Sequence, residues 1–444
     1  MRISTRIRLV CTLCEEIILT LTIHLSMKRI LLILTLALVA LAGCKKEPAP
    51  EPIAGKVSQI KLVGMPTEFT VGRSFTISAV ITPVDATDKS VTFSSSNPEV
   101  ATVEYIESEY NYSLALLKAV GPGKATITAT ANDGSGVKAE AEVTVILKKT
   151  TFASPANCYI VTNAGEYIFK TLKGNSSESV GSVASAEVLW ETFGTHKAPE
   201  VGDLVKDVSY NNGEITFKAT DRKGNAVIAA KDASGKILWS WHIWMTDHPV
   251  EKVYPSNATM MDRNLGAISA SSGDVGTIGL KYQWGRKDPF LGEVSHNFNV
   301  KAKSTITWPL SEESSATTGT ILYATEHPTT FIDSSAEFTN LDWYYTGNET
   351  TDNTRWTTSD KAKSIYDPCP AGWRVPDDYK DVVMAGLTEA LALYPLGNYW
   401  TASPDTDSYY PTSYYAIYLQ VSSHIVSTNA YGRYSRYKIR CIKE

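Results

Sequence analysis

Apolar and polar side chains alternate with a period of two in Phe75-Thr76-Ile77-Ser78-Ala79-Val80-Ile81, a pattern that suits an extended strand with one face in a core. The same pattern runs through residues 57–147. Ile60, Leu62 and Val63 open it, and Val91-Thr92-Phe93-Ser94-Ser95 follows. Gly121-Pro122-Gly123 then turns into Ala125-Thr126-Ile127-Thr128-Ala129-Thr130, and Asn132-Asp133-Gly134 turns into a run from Val137 to Ile146. Six or seven strands without a helical stretch predict two stacked sheets, a β-sandwich over residues 55–148.

A chain of 444 residues is too long for one ordinary core. All ten Trp residues lie at or beyond Trp190, so a different core begins after residue 150. Strands are predicted at Cys158 to Val161, Tyr167 to Lys170 and Ala186 to Trp190. Asn212-Gly213, between Val208-Ser209-Tyr210 and Ile215-Thr216-Phe217, is the signal of a two-residue hairpin whose central residues both need positive φ. Asp232-Ala233-Ser234-Gly235 joins a further pair of strands, and residues 151–250 read as a second β-sandwich. Residues 251–444 are irregular, with one helix expected from Asp377 to Leu393 on the apolar face of Val382, Val383, Leu387, Ala390 and Leu391. Asp377 and Asp378 suit its start. Strands at Asn398 to Ala402, Tyr414 to Gln420 and Tyr437 to Ile442 complete an α+β unit, so the chain reads as mainly β and multidomain.

Near the N-terminus, Met27-Lys28-Arg29 precedes an apolar run from Ile30 to Ala40 and the tetrad Leu41-Ala42-Gly43-Cys44. This resembles a bacterial lipoprotein signal peptide, with Cys44 as the residue whose thiol receives the lipid. The competing reading is a retained membrane helix, for which the run is short against a hydrocarbon core of about 30 Å. Residues 1–26 fit poorly as a signal because Cys11, Cys14, Glu15 and Glu16 interrupt them, so Met27 is the expected start. The signal region is thus residues 1–43. Residues 44–54, with Pro48, Pro50 and Pro52, form a tether anchored in the membrane through lipid. The expected location is the outer membrane, lipid-anchored at the cell surface.

Two stretches resemble known families. Ile81-Thr82-Pro83-Val84-Asp85-Ala86, Val91 to Val103 with Ser96-Asn97-Pro98-Glu99 inside it, and Ala119-Val120-Gly121-Pro122-Gly123-Lys124-Ala125-Thr126-Ile127-Thr128-Ala129 resemble the bacterial Ig-like group 2 domain, a spacer or adhesive module. An aromatic insertion from Tyr105 to Ser113 departs from that pattern. Met261-Asp262-Arg263-Asn264-Leu265-Gly266-Ala267, Gly279-Leu280-Lys281-Tyr282-Gln283-Trp284-Gly285-Arg286, Asp367-Pro368-Cys369-Pro370-Ala371-Gly372-Trp373-Arg374-Val375-Pro376, Tyr399-Trp400-Thr401-Ala402-Ser403 and Arg440-Cys441-Ile442 resemble the Fibrobacter succinogenes major paralogous domain. That domain is common in Bacteroidetes lipoproteins and similar to C-type-lectin-like folds, with long loops on a small twisted sheet. Beside this resemblance, a disulfide between Cys369 and Cys441 would tie helix to last strand; reduced, buried thiols are the alternative. Cys158 is left over as a buried apolar residue, and Trp284, Trp373 and Trp400 are expected to fill the core.

Catalytic signatures are sparse. The histidines His196, His242, His248, His296, His327 and His424 are scattered, with no two at ligand spacing on a helix. The Glu-Pro-Asn, Gln-Pro-Asp and Trp-Asn-Asp elements of calcium-dependent sugar binding do not occur, so no metal and no cofactor is expected. Acidic and basic residues are interspersed at a net charge of -5, which argues against nucleic acid as a partner. Eight tyrosines crowd into residues 409–437, and Tyr409, Tyr410, Tyr431 and Tyr434 are the candidate ligand contacts; simple packing of strand faces is the competing reading. The sequence therefore points to a non-catalytic surface lipoprotein binding a glycan or extracellular protein, for adhesion or nutrient capture. A fimbrial tip subunit is the alternative from another class, and an enzyme on a formylglycine-generating-like scaffold is a third.

Overall fold

A computed structural model of the protein describes residues 55–106, 113–254, 257–291, 293–294, 298–299, 303–304, 310–335, 341–345, 347, 352–386, 388, 390, 395–406 and 414–444. The expectations for residues 1–54, Cys44 among them, and for Tyr409 and Tyr410 fall outside the described residues, as does most of the insertion after Tyr105. The fold is mainly β and multidomain, and among the described residues no helix is long and apolar enough to cross a membrane.

Residues 57–146 form two four-stranded sheets. One runs β1 (Gln59–Val63), β3 (Ser74–Thr82), β6 (Ser113–Ala119), β5 (Ala101–Ile106); the other runs β2 (Glu68–Thr70), β8 (Lys138–Ile146), β7 (Gly123–Ala131), β4 (Val91–Ser95). Ile77, Ala115, Leu117, Ile127 and Val143 meet fully buried between them. These are the inward residues of the alternating runs, because a pleated strand sends neighbours to opposite faces. Strand β2 is three residues long, too short to show a period.

Two residues separate the end of β8 from β9, the first strand of the second sandwich. One sheet has the order β13 (Val205–Asn211), β14 (Glu214–Ala219), β11 (Gly165–Lys170), β9 (Lys149–Thr151). The other runs β10 (Cys158–Val161), β16 (Ile237–Met245), β15 (Gly224–Lys231), β12 (Ser185–Thr192), with β22 (Lys303–Ser304) at its edge. The β13–β14 turn has φ 46° at Asn212 and 84° at Gly213, as the Asn-Gly dipeptide predicts. Phe169, Phe217, Ile228 and Trp241 fill the space between the sheets, with the Phe169 and Trp241 ring centroids 5.0 Å apart.

The far face of the β10–β16–β15–β12 sheet is also covered. Cys158, Leu189, Trp190, Val227 and Trp244 enter one core with Trp284, Trp356, Trp373, Trp400, Cys369 and Cys441 of the C-terminal half. This explains why β15 and β16 are buried at nearly every position: both faces of their sheet are packed. Asn157 reinforces the junction, donating from Nδ2 to the Ile365 and Asp367 carbonyls at 2.7 and 2.8 Å and accepting from the Trp239 indole at 3.1 Å. Residue 250 therefore marks a change of sheet without a break in packing.

In the C-terminal half, β17 (Glu251–Val253), β18 (Thr259–Met261), β30 (Ile442–Lys443) and β25 (Trp373–Arg374) form one sheet. A five-stranded sheet runs β19 (Lys281–Gln283), β29 (Arg436–Lys438), β26 (Gly397–Pro404), β27 (Tyr415–Val421), β28 (Val426–Gly432). Small pairs β20 (Glu293–Val294) with β21 (Phe298–Asn299), and β23 (Leu310–Glu313) with β24 (Thr330–Asp333), complete it. Helix α1 (Ile321–Glu326), capped by the Thr320 hydroxyl accepting from the Tyr323 amide, has no counterpart in the sequence reading. Helix α2 is Lys380–Ala385, a correction to the unbroken helix expected from Asp377: it starts later, and Gly386, at φ 85°, interrupts it, after which Thr388 and Ala390 are helical again, the Ala390 amide donating to the Gly386 carbonyl at 3.0 Å. Asp378 accepts from the Lys380 amide, while Asp377 pairs with Arg374 instead. Cys369 and Cys441 form a disulfide, Cys158 is a buried free thiol, and Trp284, Trp373 and Trp400 are buried.

Candidate functional site

The exposed Tyr431 and the half-buried Tyr437 lie on one face of the β29–β26–β27–β28 part of the five-stranded sheet. Register places them there. Asn398, Gln420 and Ser427 are cross-strand partners on β26, β27 and β28, and so are Trp400, Tyr418 and Asn429 one step further along. Tyr431 follows on β28 opposite Ala416. Tyr437 of β29 joins the row, with its ring 4.3 Å from Trp400, 4.9 Å from Tyr418 and 6.3 Å from Tyr431. Residues directly opposite share a face, so these side chains form a continuous surface.

The face grades from core to solvent. Trp400 is fully buried and Tyr418 nearly so, while Tyr437 is half-buried and Tyr431 is 43% exposed. Trp400 is fixed by its indole donating to the Tyr282 carbonyl at 2.9 Å. Tyr434, in the turn after β28, has its ring 6.3 Å from that of Tyr431. Asn398 and Ser435 lie beside the Tyr437 hydroxyl. Asn429 Nδ2 donates to Gln420 Oε1 at 3.3 Å and to Ser427 Oγ at 3.0 Å. Burial pushes the hydroxyls of Tyr418, Tyr434 and Tyr437 above the ordinary tyrosine range, so they stay protonated at neutral pH.

Of the candidate contacts, Tyr431 and Tyr434 come together here, whereas Tyr409 and Tyr410 lie outside the described residues. The sequence reading did not include Tyr437, Tyr418, Asn398, Gln420 and Asn429 in the site. Their cross-strand register was the missing signal.

Other polar groups serve the fold. His242 is buried, with Nε2 2.9 Å from Asn225 Oδ1, and burial pushes it down to about 3, which keeps it neutral. Lys287 is buried against Asp288, Ser240 and the Trp239 ring. A cleft of about 630 Å³ opens between Phe152, Lys170, Asn175, Lys363 and Glu444. The Lys363 ammonium there already donates to the carbonyls of Cys369, Pro370 and Trp373. Among the described residues no group of three or more His, Cys, Asp or Glu is placed to hold a metal ion.

Residues 56–143 match the bacterial Ig-like domain (group 2). The match covers the N-terminal sandwich and leaves the unit with the aromatic face outside it. An uncharacterized protein of Clostridium acetobutylicum is 26% identical over 183 residues, covering 36% of this chain and 18% of that protein. Among solved structures, the Yersinia pseudotuberculosis adhesin InvE aligns over 87% of this chain and 99% of its own at 11% identity and a TM-score of 0.19. The Escherichia coli adhesin FdeC aligns over 43% of this chain and 66% of its own, at 14% identity and 0.20. A Bacteroides ovatus surface protein solved with a mixed-linkage heptasaccharide aligns over 46% and 48%, at 16% identity and 0.13. TM-scores this low carry no argument about activity or ligand.

Proposed function

We propose that this protein is a surface lipoprotein, anchored at Cys44 in the outer membrane of a Gram-negative bacterium, that binds a glycan or extracellular protein without catalysing a reaction. The observation that carries the reading is the rigid row of Tyr437 and Tyr431, backed by Trp400, with Asn398, Gln420 and Asn429 beside it. Rings already held by packing lose little freedom on binding, and flanking amides supply directional contacts. The Ig-like segment and the proline-containing tether would raise this face off the membrane. The resemblance of residues 251–444 to the paralogous domain of Bacteroidetes lipoproteins supports the same reading.

Arrays of glycans and extracellular-matrix proteins, probed with the full chain and with a Tyr431→Ala/Tyr434→Ala variant, test it. Signals on one array that vanish in the variant are expected; signals the variant retains in full would contradict it.

A further inference from the structure

The outward positions of this face are uniform in chemistry. Asn398, Gln420, Ser427, Asn429, Tyr431 and Tyr437 are amide, hydroxyl or aromatic; none is Asp, Glu, Lys, Arg or His. Charge lies on the reverse: Lys438 points its ammonium over the Tyr399 ring and donates to the Leu396 carbonyl at 2.6 Å. We propose that the ligand of this face is a neutral glycan chain, its sugar rings stacked on Tyr431 and Tyr437 and its hydroxyls bonded by Asn398, Gln420 and Asn429. The inference rests on the binding reading above and narrows its ligand.

Three physical features select that class. A sugar hydroxyl donates and accepts, and a primary amide does both from one rigid plane, so amides suit neighbouring hydroxyls. Asn429 spends Nδ2 on Gln420 Oε1 and Ser427 Oγ, which leaves Gln420 Nε2 as donor and Asn429 Oδ1 as acceptor for a ligand. An acidic glycan would need cations to offset the water its carboxylates or sulfates lose, and the face supplies none. A protein ligand would bring a charged rim that needs complementary charge around the rings.

The test is affinity electrophoresis of the full chain through gels containing neutral polysaccharides (mixed-linkage β-glucan, xyloglucan, galactomannan) or acidic ones (alginate, polygalacturonate, hyaluronan). Retardation is expected in at least one neutral gel and in none of the acidic gels. Tyr431→Ala is expected to weaken it about tenfold, with Asn429→Ala acting in the same direction. Tyr431 is 43% exposed and Asn429 exposed, so both variants should keep the wild-type thermal midpoint, which is measured alongside. Retardation confined to acidic gels, still sensitive to Tyr431→Ala, would overturn the neutral-glycan assignment and leave the binding face standing. Retardation that ignores both variants would overturn the face itself, and none in any neutral gel overturns the assignment.

Discussion

Replacing both Cys369 and Cys441 with alanine removes a cross-link between residues 72 apart in sequence. In the loop-entropy account, a closed loop of that size restricts the unfolded chain by an amount equivalent to about 4.4 kcal/mol at room temperature. The pair lies at the centre of the core shared by Trp190, Trp244, Trp284 and Trp400. The loss should therefore register across residues 152–444 together. Tryptophan fluorescence during guanidinium unfolding isolates this effect, because the Ig-like segment contains no Trp and is silent in that channel. In a Cys44→Ser background the double variant should unfold in a single fluorescence transition, with its stability lowered by about 4 kcal/mol. Cys158 remains as a buried thiol, which burial pushes above its usual range, so it offers no substitute partner. A loss below about 1 kcal/mol would refute the loop-entropy reasoning, and two separated tryptophan transitions would refute the shared core.

Asn157→Ala leaves the Ile365 and Asp367 carbonyls and the Trp239 indole without their partner, and should lower stability by about 3–5 kcal/mol in the same assay. Burial pushes the Asp367 carboxyl up to about 6, against the pull of Lys363 and the Val375 and Cys369 amides. A carboxyl raised above its unfolded value of about 3.9 takes up a proton on folding. Its contribution is therefore full below that pH and lost as pH rises through 6, a change of about 3 kcal/mol that Asp367→Asn should flatten in urea titrations at stepped pH. Metabolic labelling with a clickable fatty acid should mark the wild type, whereas Cys44→Ser should be unlabelled and leave the membrane fraction; equal labelling would contradict the anchor.

What was legible in the sequence was local. Asn212-Gly213 dictated its turn because two successive positive φ values are a backbone requirement, and the alternating run at Phe75 dictated which residues face the first core. The break in the expected helix at Gly386 went unread because glycine can sit inside a helical pattern or interrupt it, whereas the continuation beyond it, legible in the apolar spacing, is seen at Thr388 and Ala390. Helix α1 escaped notice because six residues give too little period to read. The burial of both faces of β15 and β16 depends on what packs behind them. The run Trp239 to Met245 reads as a strand, but polar Ser240 and His242 on one of its faces give no sign that this face too is packed. The tyrosine-rich end drew attention by composition alone. Which of its rings reach solvent follows from the pairing of β26, β27 and β28, a long-range register that spacing does not reveal.

Amide hydrogen exchange on the full chain, with and without the polysaccharide that retards it most, locates the contact directly. Protection is expected in residues 415–437, over β27, β28 and the turn carrying Tyr434. Protection confined to the cleft segments around Phe152, Asn175 and Lys363, with residues 415–437 unchanged, would contradict the assignment of the aromatic face as the binding surface.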